Sequence, residues 1–334
     1  MTTDTDGKTT RKAFWMLFFI AAPLAEILSG NVPVLKFIFP PGFIFLTLVY
    51  GLPVVLIREF AVAKRLNILG IILLGLGYGL FNEGVLAKTL TQLSGQPVGP
   101  FAGYGQVGAF EGGWAVFIVF WHALHSVLYP ILITHWTFPA AAKKRWMSPR
   151  ALKIALPLFA ALYSLHFIFK NRPPVPAAFI GYLLATALFA VIAVRLCRQK
   201  TEPAAADTKP SLKPVWIGMA TVFFYIAHYA LAAKRPFPFP VFALLAAGII
   251  AFTVWRIARA GWRPTPEILL FGLGDDLAFS TLAGIGTIAT HNAPVQHGIA
   301  AVCFAVIFIR LIRAVRRAPA GRGTAIAPPQ GETA

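Results

Sequence analysis

Acidic residues are scarce in this chain: twelve Asp and Glu among 334 residues, against thirty Lys and Arg. Charged residues of both signs reach only 13%, hydrophobic ones reach 57%, and mean hydropathy is +0.71. Such poverty of charge excludes an ordinary soluble domain, in which about a quarter of the residues are charged. Cysteine is nearly missing as well. Cys197 and Cys303 stand alone, one at the end of an apolar stretch and one inside another, which excludes a disulfide framework. The net charge of +18 raises nucleic acid as a partner, but the basic residues follow the apolar stretches and form no single patch. The partner expected is the lipid bilayer, with no nucleic acid.

What the chain has in abundance is long apolar runs. A bilayer span takes about 20 mostly apolar residues, and ten stretches qualify: 13–30, 42–60, 67–90, 113–138, 151–169, 174–196, 213–233, 238–258, 266–286 and 296–314. Basic residues alternate between the connections, so that 24 of the 30 Lys and Arg fall on one side. By the positive-inside rule that side is cytoplasmic, and it holds both termini. The expected fold is an all-α, polytopic transmembrane helix bundle of about ten spans in the bacterial inner (plasma) membrane. Residues 1–12 read as a cytoplasmic tail, 13–317 as the transmembrane domain, 199–214 as a cytoplasmic linker, and the Gly-, Pro- and Ala-rich 318–334 as a disordered tail. The start of the chain lacks an Ala-x-Ala-like cleavage site and carries Glu26, so it reads as a retained span and not a secretory signal. The outer connection 91–112 is glycine-rich and has no Lys or Arg. A lid, a re-entrant segment and a plain surface loop all fit it, a plain loop being the default.

With acids so few, their positions are informative. Seven of the twelve lie in or beside spans: Glu26, Glu59, Glu83, Glu111, Glu267, Asp275 and Asp276. Three have structural explanations. Glu59 follows Arg58 at a cytoplasmic end, where ion pairing or snorkelling suffices. Glu111 and Glu267 precede helix bodies, whose N-terminal dipoles favour a carboxylate. Glu83 is different, because Gly75, Gly79 and Glu83 share one face at i, i+4, i+8, so that a neighbouring backbone can approach just below the carboxylate. On the next span His122, His125, Ser126 and Tyr129 follow i, i+3, i+4, i+7 spacing, a polar stripe on an apolar helix. At ~1.5 Å per residue, Glu26, Glu83, His122, His125 and the Asp275–Asp276 pair all fall about 6–18 Å below the outer ends of their spans. One polar cavity bounded by the first, third, fourth and ninth spans is the expectation. His166 and His228 read as interfacial packing residues, His291 and His297 as solvated loop residues, and His135 carries no reading.

Ionisable groups at such depth mark a functional site by default. Glu83 as general base with His122 and His125 would serve metal-free hydrolysis. Chains of acids and histidines equally serve proton-coupled transport of an unknown membrane-accessible substrate, and mutual hydrogen bonding that merely fixes helix packing is a third reading. No cofactor is expected. A zinc or iron ion at Glu83, His122 and His125 is a further option, although the chain has no His-Glu-x-x-His.

Asn82-Glu83-Gly84, followed by an aromatic-rich span with His122 and His125, resembles the CAAX prenyl protease and bacteriocin-processing family of glutamic intramembrane proteases. That family carries Glu-Glu-x-x-x-Arg, then Phe-x-x-x-His, then His-x-x-x-Asn or Asp. Here Asn82 stands for the first Glu, Lys88 lies one place beyond the Arg, and Trp121 stands for the Phe four before His125. The third motif has no counterpart. The resemblance implies Glu83 as the water-activating acid and His122 or His125 as the second-motif histidine. The Pro-Leu-Ala-Glu, Leu-Ile-Arg-Glu and Asn-Glu-Gly segments also resemble those of a prokaryotic family of multi-pass membrane proteins with no assigned activity.

Overall fold

The computed structural model describes residues 3–91, 101, 103–169, 176–198, 213–259, 266–289 and 293–317. Twelve α-helices dominate: α1 (Thr3–Ala22), α2 (Val34–Ile38), α3 (Pro40–Ala63), α4 (Ile68–Leu80), α5 (Gly112–Trp121), α6 (Tyr129–Thr137), α7 (Pro149–Phe169), α8 (Pro176–Leu196), α9 (Lys213–Lys234), α10 (Phe239–Arg259), α11 (Pro266–Ala289) and α12 (Pro294–Arg317). A two-residue hairpin of β1 (Gln106–Val107) and β2 (Phe110–Glu111) is the strand structure among the described residues. Each of the ten apolar stretches coincides with helix, counting α5 and α6 as one rod. Seven helices there are long and apolar enough to cross a membrane: α3, α4, the α5–α6 rod, α7, α8, α11 and α12. The N-terminal segment is helical from Thr3, where α1 begins. The linker at 199–212 and the tail at 318–334 lie outside the described residues.

Local chemistry sets several boundaries. Pro40 and Pro41 open α3, where a missing N–H costs nothing. Asn67 caps α4, its side chain accepting from Gly70 N at 3.0 Å. Three helices pass into wider π winding: α1 at Pro23–Ile27, α4 at Phe81–Leu86, and the α5–α6 rod at His122–Leu128. Prolines mark two of them. Pro23 starts the first and Pro130 follows the third, each depriving a preceding carbonyl of its helical donor and loosening the ladder there.

The α5–α6 rod is the centre of the molecule. Its spanning window is 83% buried and that of α4 72%, against 11% for α7 and α8. Leu184, Leu188, Ile154 and Ile168 on those outer helices are accordingly exposed, as expected of side chains whose solvent is lipid. Close approach at the centre depends on glycine. A Cβ on Gly75 would sit 2.8 Å from Ala123 Cα, and one on Gly79 would sit 2.8 Å from Val119 O. The pair Gly75 and Gly79 thus does what its spacing predicts. Gly218 and Gly274 let α9 and α11 cross in the same way.

The glycine-rich connection 91–112 is more than a surface loop where it is described. Phe101 and Tyr104 are buried in a small core with Phe242 of α10, and Tyr104 donates to Phe237 O at 2.8 Å. Left-handed backbone at Gly103, Gly105 and Gly108 folds the hairpin tightly, and a Cβ on Gly105 would collide with the Phe239 ring.

Candidate functional site

Glu83 and His122 meet. His122 Nε2 lies 2.8 Å from Glu83 Oε1, and Asn82 Nδ2 donates to the same oxygen at 3.1 Å. The second carboxylate oxygen accepts from the Thr89 hydroxyl, which in turn accepts from Trp114 Nε1 at 3.0 Å. An ionised carboxylate can only accept, so Nε2 carries a proton, and in the neutral imidazole Nδ1 then accepts from Ser126 Oγ at 2.9 Å. Tyr50 of α3 lies parallel to the His122 ring at 6.2 Å and donates to Glu26, whose other oxygen accepts from Asn31 Nδ2 at 2.5 Å. Glu26, Glu83 and His122 each sit in a π-helical segment, the wider turn placing each side chain off the ordinary helical register.

His125 belongs elsewhere. Its Nδ1 lies 2.5 Å from Asp276 Oδ1 and its Nε2 3.1 Å from Asp275 Oδ2, while Tyr129 donates to Asp275 Oδ2 at 2.9 Å. Trp121 stacks on the imidazole at 3.6 Å. The Tyr129 ring fits against Gly272 of α11, where a Cβ would be 2.6 Å from the ring. Asp275 and His125 are sealed, whereas the Glu83 side chain keeps 10% of its surface accessible. Asp275 Oδ1 and Asp276 Oδ2 are buried without a hydrogen-bond partner among the described residues.

The hydrogen bonds thus tie these polar residues into two clusters. In an ordinary α-helix His122, His125, Ser126 and Tyr129 would share one stripe. The π winding of His122–Leu128 adds a residue per hydrogen-bonded turn and splits them. His122 and Ser126 join Glu83 and, through Tyr50, Glu26. His125 and Tyr129 join Asp275 and Asp276. The ligand set Glu83, His122 and His125 does not converge, and no group of three His, Cys, Asp or Glu with metal-binding geometry occurs among the described residues.

The comparisons carry one positive finding. A model of an uncharacterized membrane protein family matches residues 15–323, taking in every member of both clusters. The chain belongs to that family. No curated protein and no solved structure matches. The second of the two resemblances drawn from the sequence is thus supported, and no link to the CAAX prenyl protease family is found.

Other polar residues in this member of the family have structural work. Arg58 does not snorkel: it is fully buried, bonded to Glu59 at 2.5 Å, His135 Nε2 at 3.2 Å and the carbonyls of Ala141 and Ala142, and covered by the Trp146 ring. Glu59 also accepts from Trp146 N at 3.0 Å, so the group fastens the turn after α6 to α3. Glu111 stands at the N-cap position of α5 without a side-chain cap bond, and its carboxylate accepts from Gly103 N at 2.8 Å within the hairpin. Lys88, beside the position of the protease motif's Arg, reaches Phe167 O of α7 at 3.0 Å. His166 packs on Phe45, and His297 is a buried residue of α12, not a solvated loop residue. His291 lies outside the described residues. Tyr50, Asn31, Thr89 and Trp114 were not singled out from the sequence, because a hydroxyl, amide or indole in an apolar run carries no charge to flag it.

Proposed function

We propose that this chain is a proton-coupled membrane transporter, a ten-span bundle in the cytoplasmic membrane with both termini inside, whose proton-binding unit is His125 with Asp275 and Asp276. The observation that carries the reading is the sealed geometry of one imidazole held between two neighbouring carboxylates, each with an oxygen that has no partner among the described residues. Three titratable groups this close in a low dielectric exchange protons as a unit, not singly. Buried unpaired charge is costly, so the proton count of the unit and the helix arrangement around it are linked. The Glu26–Tyr50 and His122–Glu83 groups lie across the same π segment, so a rewinding of 122–128 moves both clusters together.

The test uses proteoliposomes of the full chain on a solid-supported membrane, challenged with amino acids, sugars, dipeptides and organic cations under an inward proton gradient. The expected result is a solute-evoked current that collapses with protonophore and is lost in Asp276→Asn. A current indifferent to the gradient, or retained in that variant, overturns the reading.

Hydrolysis is favoured by a different observation. From Ser126 hydroxyl to His122 to Glu83, each group donates to the next, the polarity of a nucleophile–base–acid chain, and Glu83 is the accessible member. Glu83→Gln and Ser126→Ala should then abolish turnover of fluorogenic esters or peptides by well-folded protein; full activity in both variants sinks this second reading.

A further inference from the structure

The α11–α12 seam carries polar groups that the two clusters leave unused. Gly272, Asp276, Ser280 and Gly284 recur every four residues and form one ridge of α11. Tyr129 fits the ridge at Gly272, His125 bonds it at Asp276, and His297 of α12 covers Ser280 and Gly284. Ser280 and His297 are 2% and 5% exposed, so this is interior and not surface. His297 Nε2 lies 2.9 Å from the Ser280 carbonyl, and a carbonyl only accepts, so Nε2 carries a proton and in the neutral ring Nδ1 is the acceptor. That Nδ1, Ser280 Oγ and Asp276 Oδ2 are all buried with no hydrogen-bond partner among the described residues.

Three unsatisfied polar atoms along one helix seam are costly if dry. They are also the stations a proton needs. From these we infer that His297 and Ser280 form a proton path along the α11–α12 seam to Asp276, entering one turn inside the start of α12. This rests on the reading of His125, Asp275 and Asp276 as the proton-binding unit. In each transfer His297 Nδ1 takes a proton arriving from the helix end and gives it, directly or through a water, to Ser280 Oγ. The Ser280 hydroxyl releases its own hydrogen to Asp276 Oδ2, so that both relay groups return to their starting state. Asp276 and Ser280 are one helical turn apart, about 6 Å along the axis.

The experiment is a stopped-flow pH jump on the purified full-length protein in detergent, with an indicator dye reporting the number of protons taken up and the rate. In wild type the buried unit gives a resolved uptake phase. Asp276→Asn should remove the amplitude of that phase. His297→Gln, which keeps a donor for the Ser280 carbonyl, and the milder Ser280→Ala should preserve the amplitude and slow it by roughly 10²-fold, the lower end of what a positioned proton-transfer group supplies. Added imidazole should restore the rate in His297→Ala, an effect that a packing role would not produce. If the two path variants keep the wild-type rate while Asp276→Asn loses the amplitude, the path is refuted and the proton-binding unit stands. If Asp276→Asn keeps the amplitude, the unit itself is wrong.

Discussion

Gly79→Ala isolates the close approach that builds the Glu83–His122 pair. The added methyl would sit 2.8 Å from Val119 O, 3.0 Å from Val119 Cα and 3.2 Å from His122 Cβ. Two of those atoms are backbone, so no rotamer relieves the clash, and α4 must move off the rod by about 0.5–1 Å to regain ordinary carbon contacts of ~3.5–4.0 Å. Overpacking of this kind costs about 1–3 kcal/mol. Helix propensity works in the other direction, alanine gaining roughly 0.5–1 kcal/mol over glycine in a helix interior. Gly181→Ala on α8 is the matched control, since a Cβ there meets nothing within 4 Å. Propensity cancels between the two variants, leaving Gly79→Ala the less stable by about 1–3 kcal/mol. The assay is the folded fraction by size exclusion after heating a detergent-solubilised sample, which gives an apparent Tm for each. Gly79→Ala matching or exceeding Gly181→Ala refutes the packing argument.

Other substitutions test other joints. Arg58→Ala strands Glu59 in the interior and should destabilise by about 3–5 kcal/mol; Arg58→Met with Glu59→Leu should recover much of that loss in the same heating assay. Tyr129→Phe keeps the ring against Gly272 but removes the donor to Asp275, with an expected cost of about 1–3 kcal/mol; chemical denaturation by Trp fluorescence reads it, and a stability above wild type would show that the bond is unimportant. Asn67→Ala removes the cap of α4, and a loss of about 1 kcal/mol is expected, with amide exchange at Gly70 reporting local fraying.

Much of this was legible in the sequence, and for identifiable reasons. Apolar length alone locates the helices, because in lipid every backbone polar group must be satisfied internally. The shared face of Gly75 and Gly79 follows from regular α-helical spacing, because α4 keeps that winding as far as Leu80, while Glu83 lies beyond it in the π segment. The sequence spacing His122–Tyr129 makes one stripe only in α-helical winding, whereas the segment His122–Leu128 is π-helical just before Pro130. Glu59 and Arg58 were legible as a pair but not as a buried clamp, since His135 and Trp146 lie far along the chain and nothing local ties them together. His297 reads as a loop residue because it stands at the very edge of the apolar stretch 296–314, whereas α12 starts at Pro294 and carries the imidazole inward against the Ser280 carbonyl.

The central claim is that His125, Asp275 and Asp276 bind protons as one unit. Infrared spectroscopy of the reconstituted protein across a pH titration measures this directly, through the carbonyl stretch of a protonated carboxyl group. The account predicts a titrating band that disappears in Asp276→Asn and whose midpoint moves in His125→Gln. A band absent from wild type, or one unmoved by either substitution, contradicts it.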